Sequence, residues 1–89
     1  MTVERVLDVS DLAPPEPLER ALEAVRELPP GGYVRMLHWR EPLLLYPLLE
    51  EQGLRWTTRA GRETAYEILI WRRGDAEAEA AALATGTRP

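Results

Sequence analysis

The 89-residue chain contains no cysteine, which excludes disulfides, thiolate metal sites, nucleophilic thiols and persulfide chemistry together. Its only sulfur is that of Met1 and Met36. Lysine and asparagine are also absent, all eleven basic residues are Arg, and glutamine occurs only as Gln52. Fewer thermolabile side chains favour thermal robustness but indicate no function. There is one serine, Ser10, and one histidine, His38, so triads and multi-histidine metal sites have little to draw on. No long apolar run occurs, and Met1-Thr2-Val3-Glu4-Arg5 places an acid where a secretory leader needs basic residues. A cytoplasmic location away from membranes is expected.

With 45% hydrophobic and 29% charged residues, the chain can bury one core beneath a solvated surface. Splitting it would leave each half too small to fold unaided, so one domain is expected. The net charge of -4 is unevenly spread. Residues 1–53 hold five Arg against ten acids, residues 54–74 five against two, and residues 75–89 one against three. So acidic a chain lacks the broad basic surface that binds nucleic acid through counterion release. An RNA contact is confined to the Arg-rich third quarter, through Arg55, Trp56, Arg59, Arg62 and Arg72.

Val3 to Val9 reads as a β-strand ended by Ser10-Asp11 and a proline cluster. From Pro15 to Leu28, Leu18, Ala21, Leu22, Val25 and Leu28 fall at helical spacing, with Glu19, Glu23 and Glu27 opposite. Pro15 and Pro17 mark the start of that helix, where N–H groups have no intrahelical partner to lose. Pro29-Pro30-Gly31-Gly32 turns the chain into a β-rich run from Tyr33 to Trp39. Pro47 argues that the second helix begins near Tyr46, with Leu43 to Leu45 as a turn packed beneath it and Gly53 as its cap. Leu54 to Arg59 and Thr64 to Arg73 read as a hairpin. Residues 75–89 form an Ala/Glu-rich tail with a plausible Asp75 cap but Leu83 as its only large apolar anchor, so it is helical or frayed. The order is βαβαββ over residues 1–74. A right-handed crossover makes the first two strands parallel, and an α+β two-layer α/β sandwich with both helices on one face of a four-stranded mixed sheet is expected.

The stretch Leu7-Asp8-Val9-Ser10-Asp11-Leu12-Ala13-Pro14-Pro15-Glu16-Pro17-Leu18 resembles the signature of the TusA/SirA sulfur-carrier family. There a strand ending in Leu-Asp leads through Gly-Leu to Cys-Pro-x-Pro at the head of the first helix. Here Asp11-Leu12 takes the place of Gly-Leu, Pro15-Glu16-Pro17 matches Pro-x-Pro, and Pro14 stands at the cysteine position. The resemblance implies a sheet of order 1-2-4-3 with strand four antiparallel to the others. Within that superfamily, His38-Trp39-Arg40-Glu41-Pro42 followed by Leu45-Tyr46-Pro47-Leu48-Leu49-Glu50 and Gly53 is similar to an uncharacterised bacterial branch, domain-of-unknown-function family 2249, which is cysteine-free at the same position. Proline offers neither nucleophile nor leaving group, so the family's persulfide mechanism is closed to this chain.

The remaining chemistry is sparse. His38 would need carboxylates or a second subunit to hold a metal, and Met36, on the same strand face, reads as core packing rather than a haem ligand. Glu19, Glu23 and Glu27 read as a solvated face with room for a basic partner. Gly31-Gly32 follows a helix and is a structural turn. Ser10 and His38 lack an oxyanion signature. No catalytic residue, metal site or cofactor is therefore expected, and the chain is not read as an enzyme.

Three functions remain. The first is a noncatalytic protein-interaction or adaptor module with an unknown protein partner. The second is a small anionic-ligand domain at the carboxyl ends of the parallel strands, where His38, Trp39 and Arg40 emerge beside Ser10, Pro14 and Pro15. Its competitor is that Arg40 simply pairs with Glu41, Asp8 or Asp11. The third is the RNA contact named above. Leu37 and Trp39 share one side of the second strand, and Leu69 and Trp71 one side of the fourth. If that side faces away from the helices, it would need a cover, for which a homodimer is a candidate.

Overall fold

A computed structural model describes residues 3–85. In chain order the elements are β1 (Val3–Asp8), α1 (Glu16–Arg26), β2 (Gly32–His38), α2 (Leu45–Glu51), β3 (Leu54–Ala60), β4 (Tyr66–Arg72) and α3 (Ala76–Ala84). The strands form one sheet of order β1-β2-β4-β3. β1 and β2 are parallel, while β4 runs antiparallel to both β2 and β3. This matches the order and mixed pairing that the sequence resemblance implied.

The starts of α1 and α2 follow from where the prolines fall. Pro17 sits in the first turn of α1 and Pro47 in the first turn of α2, so neither removes an intrahelical hydrogen bond. α1 turns Pro17, Ala21, Ala24 and Val25 onto the sheet. Its carbonyl end is capped from β4, where the Arg72 guanidinium bonds the Leu28 carbonyl and reaches those of Val25 and Arg26 at 3.5 Å. Gly53, just past α2, has φ 76° and lets the chain reverse into β3. At Gly61 in the hairpin loop, a Cβ would lie 2.3 Å from the Thr64 carbonyl oxygen, so only glycine closes that turn without a shift.

The core lies between the sheet and α1 with α2. Val34, Met36, Ile68 and Ile70 from the two central strands meet Ala21, Ala24, Val25, Leu45 and Leu49, all buried. The other face is also covered. Tyr33, Leu69 and Trp71 form a second buried cluster with Ala78 and Ala82 of α3.

The two-helix, one-face sandwich is therefore corrected: there are three helices among the described residues, and α3 makes a third layer on the opposite face of the sheet. The physical reason is the small side chains of α3. Leu83 is 49% exposed and anchors nothing, whereas Ala78 and Ala82 are fully buried and let the helix backbone lie close to the aromatic rings beneath. Asp75 caps α3 as its sequence suggested, accepting from the Ala78 N–H at 3.1 Å. No helix among the described residues is long and apolar enough to cross a membrane.

Candidate functional site

β1 and β2 end side by side, and the Val9 N–H donates to the Leu37 carbonyl at 3.1 Å, extending their pairing past the end of β1. Two segments diverge from this edge. One runs through Ala13, Pro14 and Pro15 into α1, and the other through Trp39 to Leu44 into α2. Between them lies a cleft of about 310 Å³ lined by Pro14, Pro15, Pro17 and Leu18 on one wall and by Pro42, Leu43, Leu44 and Leu45 on the other. His38, Arg40 and Glu41 supply its polar groups.

The lining is unusually poor in hydrogen-bond donors. Pro14, Pro15, Pro17 and Pro42 have no backbone N–H, and the leucine side chains offer nothing polar. Among the polar groups, Glu41 is engaged, accepting from the Tyr46 hydroxyl at 3.1 Å. Tyr46 is itself held by a 2.5 Å hydrogen bond shared with Thr58 and by stacking on Trp56, with ring centroids 5.3 Å apart. His38 is half-buried, and its Nδ1 is buried without a hydrogen-bond partner among the described residues. Burial, and secondarily the Arg40 charge, hold His38 below the usual imidazole range, so it is neutral at pH 7.

Arg40 is exposed, and among the described residues it has no ion-pair or hydrogen-bond partner. Its expected competitors are not paired with it. Asp8 is taken by Ser10, whose hydroxyl and backbone N–H donate to one carboxylate oxygen at 2.6 and 2.9 Å and lower its pKa. Glu41 faces Tyr46, and no ion pair joins Arg40 to Asp11.

Of the residues singled out at this edge, Pro14, Pro15, His38 and Arg40 come together in the cleft. Ser10 turns back onto Asp8, and Trp39, 56% exposed, lies outside the lining. Leu43 and Leu44 were missed as site residues and expected to pack beneath α2. Only Leu45 does so; Leu43 is 64% and Leu44 81% exposed. The signal was a run of three leucines ahead of a helix too short to use them all.

The remaining candidates lie elsewhere. Leu37, Leu69 and Trp71 are buried, and α3 packs on the last two, so the exposed face on which a homodimer was argued is covered by the chain itself. The Arg-rich residues are split by strand alternation. Trp56 and Arg72 face α1 and α2, whereas Arg59 faces the α3 side and bonds the buried Glu67 at 2.7 Å. Glu67 also meets Arg35 at 3.3 Å. Burial alone would raise its pKa, but Arg59 and Arg35 outweigh that and hold it below the usual carboxylate range. These groups, with Glu4, Arg62, Glu63 and Thr85, line a polar cavity of about 370 Å³ in which positive and negative charges balance. Among the described residues there is no cluster of three or more His, Cys, Asp or Glu able to hold a metal ion.

No curated protein and no solved structure matches the chain at a significant level. The model of one family, described as "Uncharacterized conserved protein (DUF2249)", matches residues 6–72, from within β1 to the last residue of β4, and so takes in the whole cleft and leaves α3 outside. By that match, over most of its length, the chain belongs to the DUF2249 family.

Proposed function

We propose that this chain is a noncatalytic cytoplasmic interaction module that docks a partner protein at the cleft between the Pro14–Pro15 turn and the loop before α2. The observation that carries this reading is the company around that cleft. Leu43 and Leu44, 64% and 81% exposed, stand next to one another in the lining of an apolar cavity, and Trp39, 56% exposed, precedes them in the same loop. Large apolar side chains grouped in this way mark protein-interaction sites, whereas singly scattered ones do not. Kinship to the TusA/SirA-like carriers fits the same picture: Pro14 occupies the cysteine position and lines the cleft, so the place where a carrier would hold sulfur becomes an apolar wall.

The test places a photocrosslinking amino acid at position 44 and, as a control, at position 23 on the outer face of α1. Crosslinking in the producing cells should give discrete adducts from position 44 that vanish when Leu43→Asp is added and that are absent from position 23. Identical patterns from both positions would reject the docking face. The anionic-ligand alternative is favoured by one observation, the unpaired Arg40. It predicts stabilisation by small carboxylates or phosphates that is lost in Arg40→Ala.

A further inference from the structure

We propose that the segment docked in this cleft is a short acidic peptide of the partner protein, whose apolar side chains enter between Leu18 and Leu43–Leu45 and whose following carboxylate is bound by Arg40. The inference rests on the docking reading and assigns the chemistry of its occupant.

Three features converge on that chemistry. The walls supply prolines and leucines, so a strongly polar molecule would lose its hydration and gain few hydrogen bonds in return. An apolar side chain loses nothing there. In the cleft, Arg40 is the one cation and has no hydrogen-bond or ion-pair partner among the described residues; His38 lies below the usual imidazole range, and Glu41 keeps its charge but is turned onto the Tyr46 hydroxyl. A guanidinium matches a carboxylate with two parallel hydrogen bonds. The side toward the Pro14–Pro15 wall disfavours an acid. Across the Pro14–Pro15 turn, the surface continues into a hollow of about 640 Å³ lined by Glu16, Glu19, Arg20 and Glu23, where Arg20 already pairs with Glu16 at 3.2 Å and two carboxylates remain. A carboxylate placed on that side is repelled, so the charge pattern fixes which way round the segment lies. The cleft, about 310 Å³, lies at the lower limit of ligand-pocket sizes and suits side chains rather than a large cofactor.

The probe is a set of capped octapeptides carrying a Leu-Leu pair with a glutamate one, two or three residues after it. Each has a counterpart in which glutamate becomes glutamine or lysine. They are titrated against the full chain by calorimetry and by fluorescence of the exposed Trp39. At least one glutamate peptide should bind about tenfold more tightly than its glutamine counterpart, roughly 1.4 kcal/mol. Arg40→Glu should reverse the order in favour of lysine, a rescue that general loss of folding cannot produce. Equal binding of all three charge forms, or no binding by any peptide, would overturn the proposal, while the position-44 crosslinks would still stand or fall separately. Hexanoate binding as tightly as the best peptide would also overturn it, by making the site one for small carboxylates.

Discussion

Asp75 ties the start of α3 to Gly31, 44 residues earlier: Oδ2 accepts from the Gly31 N–H at 2.8 Å while Oδ1 accepts from the Ala78 N–H at 3.1 Å. One carboxylate thus caps the helix and fastens it to the turn that opens β2. The bonds from Gly31 and then Ala78 lower its pKa below 3.8. Its contribution is therefore complete above the unfolded value and is lost as the pH falls through the lowered folded value. Asp75→Ala should lower the melting temperature at pH 7 and flatten the acid limb of the stability curve. Amide exchange should speed first across Ala78 to Ala82, and Trp71 fluorescence should shift toward that of a solvated indole. Unchanged exchange in α3 would show that its packing holds without the clamp.

The Glu67 carboxylate is 5% exposed between Arg35 and Arg59, whose side chains are 22% and 28% exposed. Glu67→Leu removes the anion that Arg35 and Arg59 share, leaving Arg35 with Glu4 at 3.4 Å and Arg59 without its carboxylate. The expected loss is about 2 kcal/mol, below the roughly 3–5 kcal/mol for breaking a fully buried pair, because both Arg side chains keep access to water. Denaturant melts of Glu67→Leu alone and combined with Arg35→Met and Arg59→Met check this. The triple variant should recover much of the loss, and failure to recover would mean that Glu67 matters through packing instead.

Because burial and Arg40 hold the folded His38 below its ordinary value of 6.5, the unfolded chain takes up a proton there first as the pH falls. Stability from this group is full above pH 6.5 and declines from there down through the lowered folded value. His38→Gln should remove that decline as the pH falls below 6.5. The melting temperatures of the two proteins, measured across this range, should converge toward the acid end; parallel curves would contradict the assignment.

With no cysteine in the chain and Pro14 at the carrier position, incubation with a persulfide donor should add no sulfur. Intact mass after alkylation checks this, and a stable increment of sulfur mass would contradict it.

Much of the fold was legible because local rules settle it. The spacing of Ala21 and Val25 marks the buried side of α1, and Pro17 and Pro47 fall where helices tolerate proline. The third layer was also written in β4, though more faintly. In Ile68-Leu69-Ile70-Trp71 every residue is apolar, the pattern of a strand covered on both faces rather than one. The cover was hard to recognise because a helix that packs through Ala78 and Ala82 lacks the large apolar stripe by which buried helices are read.

The sequence by itself determined the exclusions and the order of the parts. Missing thiols cannot be restored by folding, and helix and strand periodicities are local properties of the chain. Only the tertiary structure decided which polar groups find partners. Arg40 stands near Asp8, Asp11 and Glu41 in the sequence or across the strand ends, yet Ser10 and Tyr46 engage two of those acids and leave the guanidinium unpaired. Likewise, three consecutive leucines look alike in sequence, but the short α2 can bury only Leu45 and holds Leu43 and Leu44 at the mouth of the cleft. Pairing and exposure depend on what lies opposite each side chain in space, which the spacing of residues along the chain does not specify.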